Sequence, residues 1–202
     1  MRFLATILVA TVVAVSSVPA MAQDFPALFR VVGVASNDVL NIRAEPSART
    51  PIIGSFRPGE RDIEVIGRNE AGTWGLVNVD EGVGWSSLRY LERQGEEGWA
   101  TMRVAFTCFG TEPFWLARFM PDFARLEVEV LGEGTDAFGV DWTGGISGRP
   151  PYGAGMSLSG DGFATFRGGT CSDGMSDRLY GISVLLYPGP GDGFEGCCSL
   201  AR

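Results

Sequence analysis

The chain has 202 residues and a formal net charge of −8, from 24 acidic and 16 basic side chains, with no histidine. Every basic residue is arginine, so imidazole bases, Ser-His-Asp triads, Schiff-base lysines and Ser-Lys dyads are excluded, which leaves carboxylate chemistry for any catalysis. An acidic chain without a basic run repels phosphate backbones and anionic lipid, so neither nucleic acid nor electrostatic membrane binding is expected.

Residues 1–22 have the plan of a secretory signal peptide: Arg2, an apolar run from Phe3 to Val18, and a small-x-small cleavage site at Ala20-Met21-Ala22. Pro19 interrupts the run before the roughly 20 apolar residues that a membrane span requires. The expected product is cleaved near Ala22, periplasmic or secreted, and not stably inserted in a membrane.

Residues 27–93 carry short β-rich runs separated by Gly, Pro, Asn and Asp. Leu40 and Ile42 alternate with Asn41 and Arg43, the period of a half-buried strand, and Glu45-Pro46-Ser47 ends it in a turn. Strands are predicted over Arg30–Val34, Val39–Arg43, Ile52–Phe56, Asp62–Gly67, Thr73–Val79 and Gly82–Ser86, a spacing that suits a small barrel or sandwich. Residues 94–99 open on Gln94-Gly-Glu-Glu-Gly98, polar and glycine-rich, and read as a linker. Residues 100–202 form a second β-rich unit, with strands at Val104–Phe109, Phe114–Phe119, Leu126–Val130, Phe163–Arg167, Ile182–Tyr187 and Glu195–Leu200. Thr143-Gly-Gly145, Gly153-Ala-Gly155, Gly168-Gly169 and Pro188–Gly193 read as turns. The fold class is therefore all-β, a small barrel or sandwich followed by a second antiparallel β unit; the motifs quoted below carry the likenesses that make these an SH3-like barrel and a disulfide-stapled antiparallel β-barrel.

Cys108, Cys171, Cys197 and Cys198 all fall in the second unit. An even number in an exported chain argues for disulfides. Adjacent side chains on a strand face opposite sides, so one of Cys197 and Cys198 points into the barrel and the other outward. Cys108 and Cys171 are then the partners of these two, in either order. No C-x-x-C spacing supports a redox pair.

Val31-Val-Gly-Val34, Asp38-Val-Leu-Asn-Ile-Arg43, Pro46, Ile52-Ile-Gly54, Pro58-Gly59, Trp74, Gly84-Trp85 and Tyr90-Leu91 together resemble the bacterial SH3-like (SH3b) domain. That likeness implies a barrel of five to seven strands, attached in many relatives to cell-envelope proteins, some of which bind peptidoglycan or peptides. In the second unit, Cys108-Phe-Gly-Thr-Glu-Pro-Phe-Trp115, Cys171-Ser-Asp-Gly-Met-Ser-Asp-Arg178 with Tyr180, and Gly196-Cys-Cys198 resemble a group of uncharacterised bacterial envelope proteins. This second likeness implies a closed or nearly closed antiparallel barrel and no activity. Ser172–Tyr180 is also similar, faintly, to the inhibitory loop of periplasmic inhibitors of c-type lysozyme.

The candidate ligand-binding residues are Trp85, Tyr90, Asn41 and Arg43. Asn41 and Arg43 either line a ligand groove, or Asn41 fastens the following turn through side-chain-to-backbone bonds and Arg43 lies on the barrel wall. Trp85 and Tyr90 either pack the rim or form an aromatic face for a glycan or peptide, whereas Trp74 is expected in the core. Glu112, with Asp173 or Asp177, is a candidate carboxylate pair for glycoside hydrolysis, with a structural role for Glu112 as the competing reading. Asp173-Gly-Met-Ser-Asp177 misses the EF-hand spacing, so neither metal nor other cofactor is expected. The resulting expectation is a non-enzymatic envelope protein whose SH3-like domain binds peptidoglycan or an envelope protein. The alternatives are an inhibitor of a lysozyme-like hydrolase and a carboxylate-dependent hydrolase.

Overall fold

A computed structural model describes residues 25–146 and 153–200; the expected signal peptide at 1–22 lies outside the described residues. The first unit contains β1 (Ala27–Val31), β2 (Leu40–Arg43), β3 (Ile52–Phe56), β4 (Ile63–Val65), β5 (Gly67–Arg68), β6 (Trp74–Val79), β7 (Gly82–Ser87) and β8 (Leu91–Arg93). They form two antiparallel sheets, ordered β4-β1-β8 and β3-β2-β7-β6-β5, in an SH3-like arrangement. Inward residues at alternate positions, Phe29 and Val31 on β1, Leu40 and Ile42 on β2, Ile63 and Val65 on β4, and Val77 on β6, make its core. The first strand lies three residues earlier than expected because Gly33 turns the chain with φ of +68°. Asp62, at φ +58°, likewise delays the start of β4.

The second unit is a closed antiparallel barrel of eight strands. These are β9 (Phe106–Thr111), β10 (Phe114–Met120), β11 (Arg125–Val130), β12 (Gly134–Gly145), β13 (Gly153–Leu158), β14 (Gly162–Cys171), β15 (Tyr180–Tyr187) and β16 (Phe194–Ser199), with β16 returning to β9. Three strands correct the sequence reading. Thr143–Gly145 lies within β12 and Gly153–Gly155 within β13, and Gly168-Gly169 forms a bulge inside β14 rather than a turn. The glycines at 144 and 155 answer to an aromatic ring that lies over them, described below, and not to a change of direction.

The barrel is filled by large apolar side chains. Phe106 packs against Phe119 and Phe166, with ring centroids 5.0 and 5.1 Å away. Trp115 is buried beside Gly110 and Gly196, where an added Cβ would collide with its indole. Trp99, at the end of the segment read as a linker, is 1% exposed and belongs to this core.

One disulfide fastens the seam where the first and last strands of the barrel meet, and the other ties the last strand to β14 across β15. Cys108 and Cys198 are directly paired residues of β9 and β16, and both lie in the barrel core. Cys197 points the other way and joins Cys171 on the outer wall. The opposite facing of the two adjacent cysteines follows from the strand period alone.

The two units are in contact through several elements. On β1, Ala27, Phe29 and Val31 enter the first core while Leu28, between them, packs against the barrel core. Leu28 pairs with Glu64 of β4, whose carboxylate accepts hydrogen bonds from the Leu200 amide at 2.9 Å and from the Ser199 hydroxyl. Asn78 exchanges two bonds with the Leu179 backbone at 2.9 and 3.1 Å, and Arg178 Nε donates to the Asp80 carbonyl at 2.6 Å. The Trp99 indole donates to the Phe25 carbonyl at 3.1 Å.

Candidate functional site

The outer face of the five-stranded sheet is set by ladder pairing. Arg43 pairs with Trp85, and Trp74 pairs with Ser87 two residues further along the same strand. Partners across a ladder and residues two apart on a strand share a face. Asn41, Arg43, Trp74, Trp85 and Ser87 therefore project together, opposite the core residues Ile42 and Val77. Gly84 allows β7 to approach β2, because a Cβ there would lie 2.5 Å from Ile42 Cγ2.

A cleft of about 480 Å³ opens on this face. Trp74 and Tyr90 are its aromatic lining, Asn41 and Arg43 contribute polar groups from β2, and Val34 and Asp38 line it from the loop after β1. Tyr90 is positioned by a single 3₁₀ turn, Leu88–Tyr90, whose last carbonyl accepts the Val32 amide at 2.9 Å. Arg89 stands over the Tyr90 ring, 5.7 Å from its centroid. Arg43 Nη1 donates to the Thr50 carbonyl at 2.6 Å, which fixes the 44–51 loop and leaves other guanidinium N–H groups for a ligand. The loop-fastening bond expected of Asn41 is thus made by Arg43, which also lines the cleft.

Three of the four predicted residues, Asn41, Arg43 and Tyr90, come together in this cleft. Trp85 does not line it. It lies on the same sheet face, one ladder row away, beside Arg43. Trp74, expected in the core, lines the cleft instead and is half-buried. The alternation in Trp74-Gly-Leu-Val-Asn-Val79 carried the signal: Gly75 and Val77 take the buried positions and leave Trp74 outside.

The residues of the alternative readings lie on the barrel, where the three distinctive motifs converge. Phe109 meets the Tyr180 ring edge-on at 4.8 Å, and Thr111 Oγ1 donates to the Asp173 carbonyl at 3.3 Å. The 172–180 loop is pinned at one end by Cys171–Cys197, and its later half is engaged with the first unit through Arg178 and Leu179. Asp173 accepts from the Met175 and Ser176 amides, each at 3.0 Å, and from the Ser176 hydroxyl. Burial works against its charge, but those hydrogen bonds outweigh burial and hold the carboxyl below its ordinary value. Burial raises the Tyr180 hydroxyl above its ordinary value, and the Asp173 charge adds to the effect. Glu112 is exposed in the turn between β9 and β10, with no enclosing apolar wall.

Among the described residues no helix is long and apolar enough to cross a membrane, and no group of three or more acidic or cysteine side chains is placed to hold a metal. The chain matches no family model, no curated protein and no solved structure.

Proposed function

We propose that this is an exported, non-enzymatic protein of the bacterial envelope, and that its SH3-like unit binds peptidoglycan or an envelope protein. The observation that carries this reading is the cleft in which Trp74 and Tyr90 face polar groups of Asn41, Arg43 and Asp38. Flat rings with polar neighbours suit sugar faces and extended, proline-containing peptides. The two disulfides suit an oxidising compartment, as the signal-peptide pattern requires. Retention on purified sacculi at moderate salt tests the proposal. Wild type is retained, and Trp74→Ala or Tyr90→Ala reduces retention about tenfold, a factor equal to ~1.4 kcal/mol. Absence of retention, or retention unchanged by both substitutions, overturns it.

A further inference from the structure

A second aromatic surface lies on the barrel wall, separate from the cleft and independent of the reading given to it. Ladder pairing sets Trp142 of β12, Ser157 of β13, Phe163 of β14 and Tyr187 of β15 in one continuous row across four strands. Their neighbours Met156, Leu158, Ala164 and Leu186 point into the core, so the row faces outward. Trp142 is 59% exposed and Phe163 47%.

Glycines make room for two of these rings. A Cβ on Gly144 would come within 2.6 Å of the Trp142 ring, and one on Gly155 within 3.2 Å. The indole therefore rests one face on bare backbone and turns the other to solvent. Tyr187 is held against Gly193, where a Cβ would stand 2.5 Å from its ring, and so stands between that glycine and Phe163. Phe163 stacks on Tyr187 with centroids 4.9 Å apart and planes 18° apart. The adjoining row, Gly144, Gly155, Thr165 and Leu185, adds no charge before Glu195 at its margin. The neighbouring wall of β10 and β11 is different, for it carries the ion pairs Arg118–Glu129 and Arg125–Glu127.

We infer that this row is a stacking platform for an uncharged glycan chain. A pyranose ring presents a flat C–H face to an aromatic ring and keeps its hydroxyls at the edge, where Ser157 within the row and Thr165 in the adjoining row offer hydroxyls. Trp142 and Phe163 are two strand spacings apart, about 9.6 Å, comparable with the length of two linked pyranose units. A polyanion finds no cation in either row. A peptide added as a strand needs an open sheet edge, which a closed barrel lacks, and an amphipathic helix needs a groove where this wall is convex. Charge-free flat rings on so acidic a chain therefore match a neutral polymer best.

The test is a titration of the full exported chain with a β-1,4-linked N-acetylglucosamine hexamer, read by calorimetry and tryptophan fluorescence. Wild type binds, and Trp142→Ala weakens binding about tenfold or more, a factor equal to ~1.4 kcal/mol. Phe163→Ala, which removes the ring between the other two, is an independent variant and does the same. Arg118→Ala, on the β10–β11 wall, leaves hexamer binding unchanged, whereas hexamer binding that is lost in Trp74→Ala and kept in both barrel variants belongs to the cleft and overturns this proposal alone. Absence of hexamer binding by wild type overturns the inference, and so does binding that survives both barrel substitutions. Sedimentation as a dimer that Trp142→Ala dissolves, without hexamer binding, overturns it as well and assigns the row to a second copy of the chain.

Discussion

Removing the Cys108–Cys198 disulfide is the most searching perturbation of this fold, because that bond closes the barrel at its thinnest ladder. β9 and β16 pair only through Thr107–Ser199, Cys108–Cys198 and Phe109–Cys197, whereas β14 and β15 pair from Phe163–Tyr187 to Cys171–Tyr180. The bond spans a sequence separation of 90 residues, against 26 for Cys171–Cys197. Chain-entropy bookkeeping gives about 4.6 kcal/mol for the longer loop and about 3.5 kcal/mol for the shorter, upper estimates in that picture. Either is a large share of the 5–15 kcal/mol by which domains of ordinary size are stable.

The assay is urea unfolding of the Cys108→Ala/Cys198→Ala and Cys171→Ala/Cys197→Ala variants, followed by tryptophan fluorescence and far-ultraviolet circular dichroism. The first variant is expected to lose more stability than the second, by about 1 kcal/mol. Reduction of wild type by dithiothreitol separates loss of the crosslinks from loss of two buried sulfur atoms. Hydrogen exchange is expected to lose protection first along β9 and β16 in the 108/198 variant, because opening begins where fewest backbone bonds hold. An equal or larger loss from the 171/197 variant refutes the reasoning, since the seam would then not be the barrel's weak line. A loss below about 1 kcal/mol in both variants refutes it too.

Two further outcomes follow from the contacts between the units and from their titrating groups. Glu64→Ala strips the Leu200 amide of its carboxylate acceptor and is expected to destabilise the chain by about 1.5–3 kcal/mol, with thermal unfolding of the two units becoming separate transitions; a single unshifted transition counts against the contact. Tyr180 sits above its ordinary value of 10.0, so its contribution is fully present below pH 10 and is lost as pH rises through the folded value. Asp173 sits below its ordinary 3.8, so its contribution is present above that pH and is lost as pH falls through the folded value. Melting temperatures of Tyr180→Phe and Asp173→Asn should therefore fall less than wild type on the alkaline and acid flanks respectively, and parallel curves would contradict both assignments.

Much of the fold was legible because β-structure writes its period into the chain. Leu126-Glu-Val-Glu-Val130 alternates buried and wet positions as its burial does, and the opposed facing of Cys197 and Cys198 needed only the rule that neighbours on a strand point apart. The cleft was legible in part. Asn41 and Arg43 were found from the half-buried strand and Tyr90 from the SH3b likeness, while Trp74 lines the cleft in place of the core and Trp85 lies on the same face just outside it. Residue type favoured a core tryptophan at 74, but strand parity at Gly75 and Val77 decided otherwise. Contacts between the units were not legible at all. Leu28 and Glu64 look like ordinary members of a small barrel until a second barrel supplies Leu200 and Ser199 on their far side.

The glycines explain the remaining failures, and they separate by the property each position uses. Gly33, Gly59, Gly72, Gly160 and Gly174 have positive φ and occupy turns, where a side chain would strain the backbone. Gly144, Gly155, Gly193 and Gly196 do not; what matters there is the missing Cβ beneath or beside a ring. Composition treats both kinds as punctuation, which is why β12 and β13 were read as turns. Spacing distinguishes them. Trp142 and Gly144 stand two apart on one strand, and residues two apart share a face. An aromatic side chain followed two positions later by glycine, within an otherwise β-like run, therefore argues for a ring lying along the strand and against a reversal of the chain. Under that rule residues 140–146 read as strand from the sequence alone, and the aromatic row of the barrel wall would have been found with it.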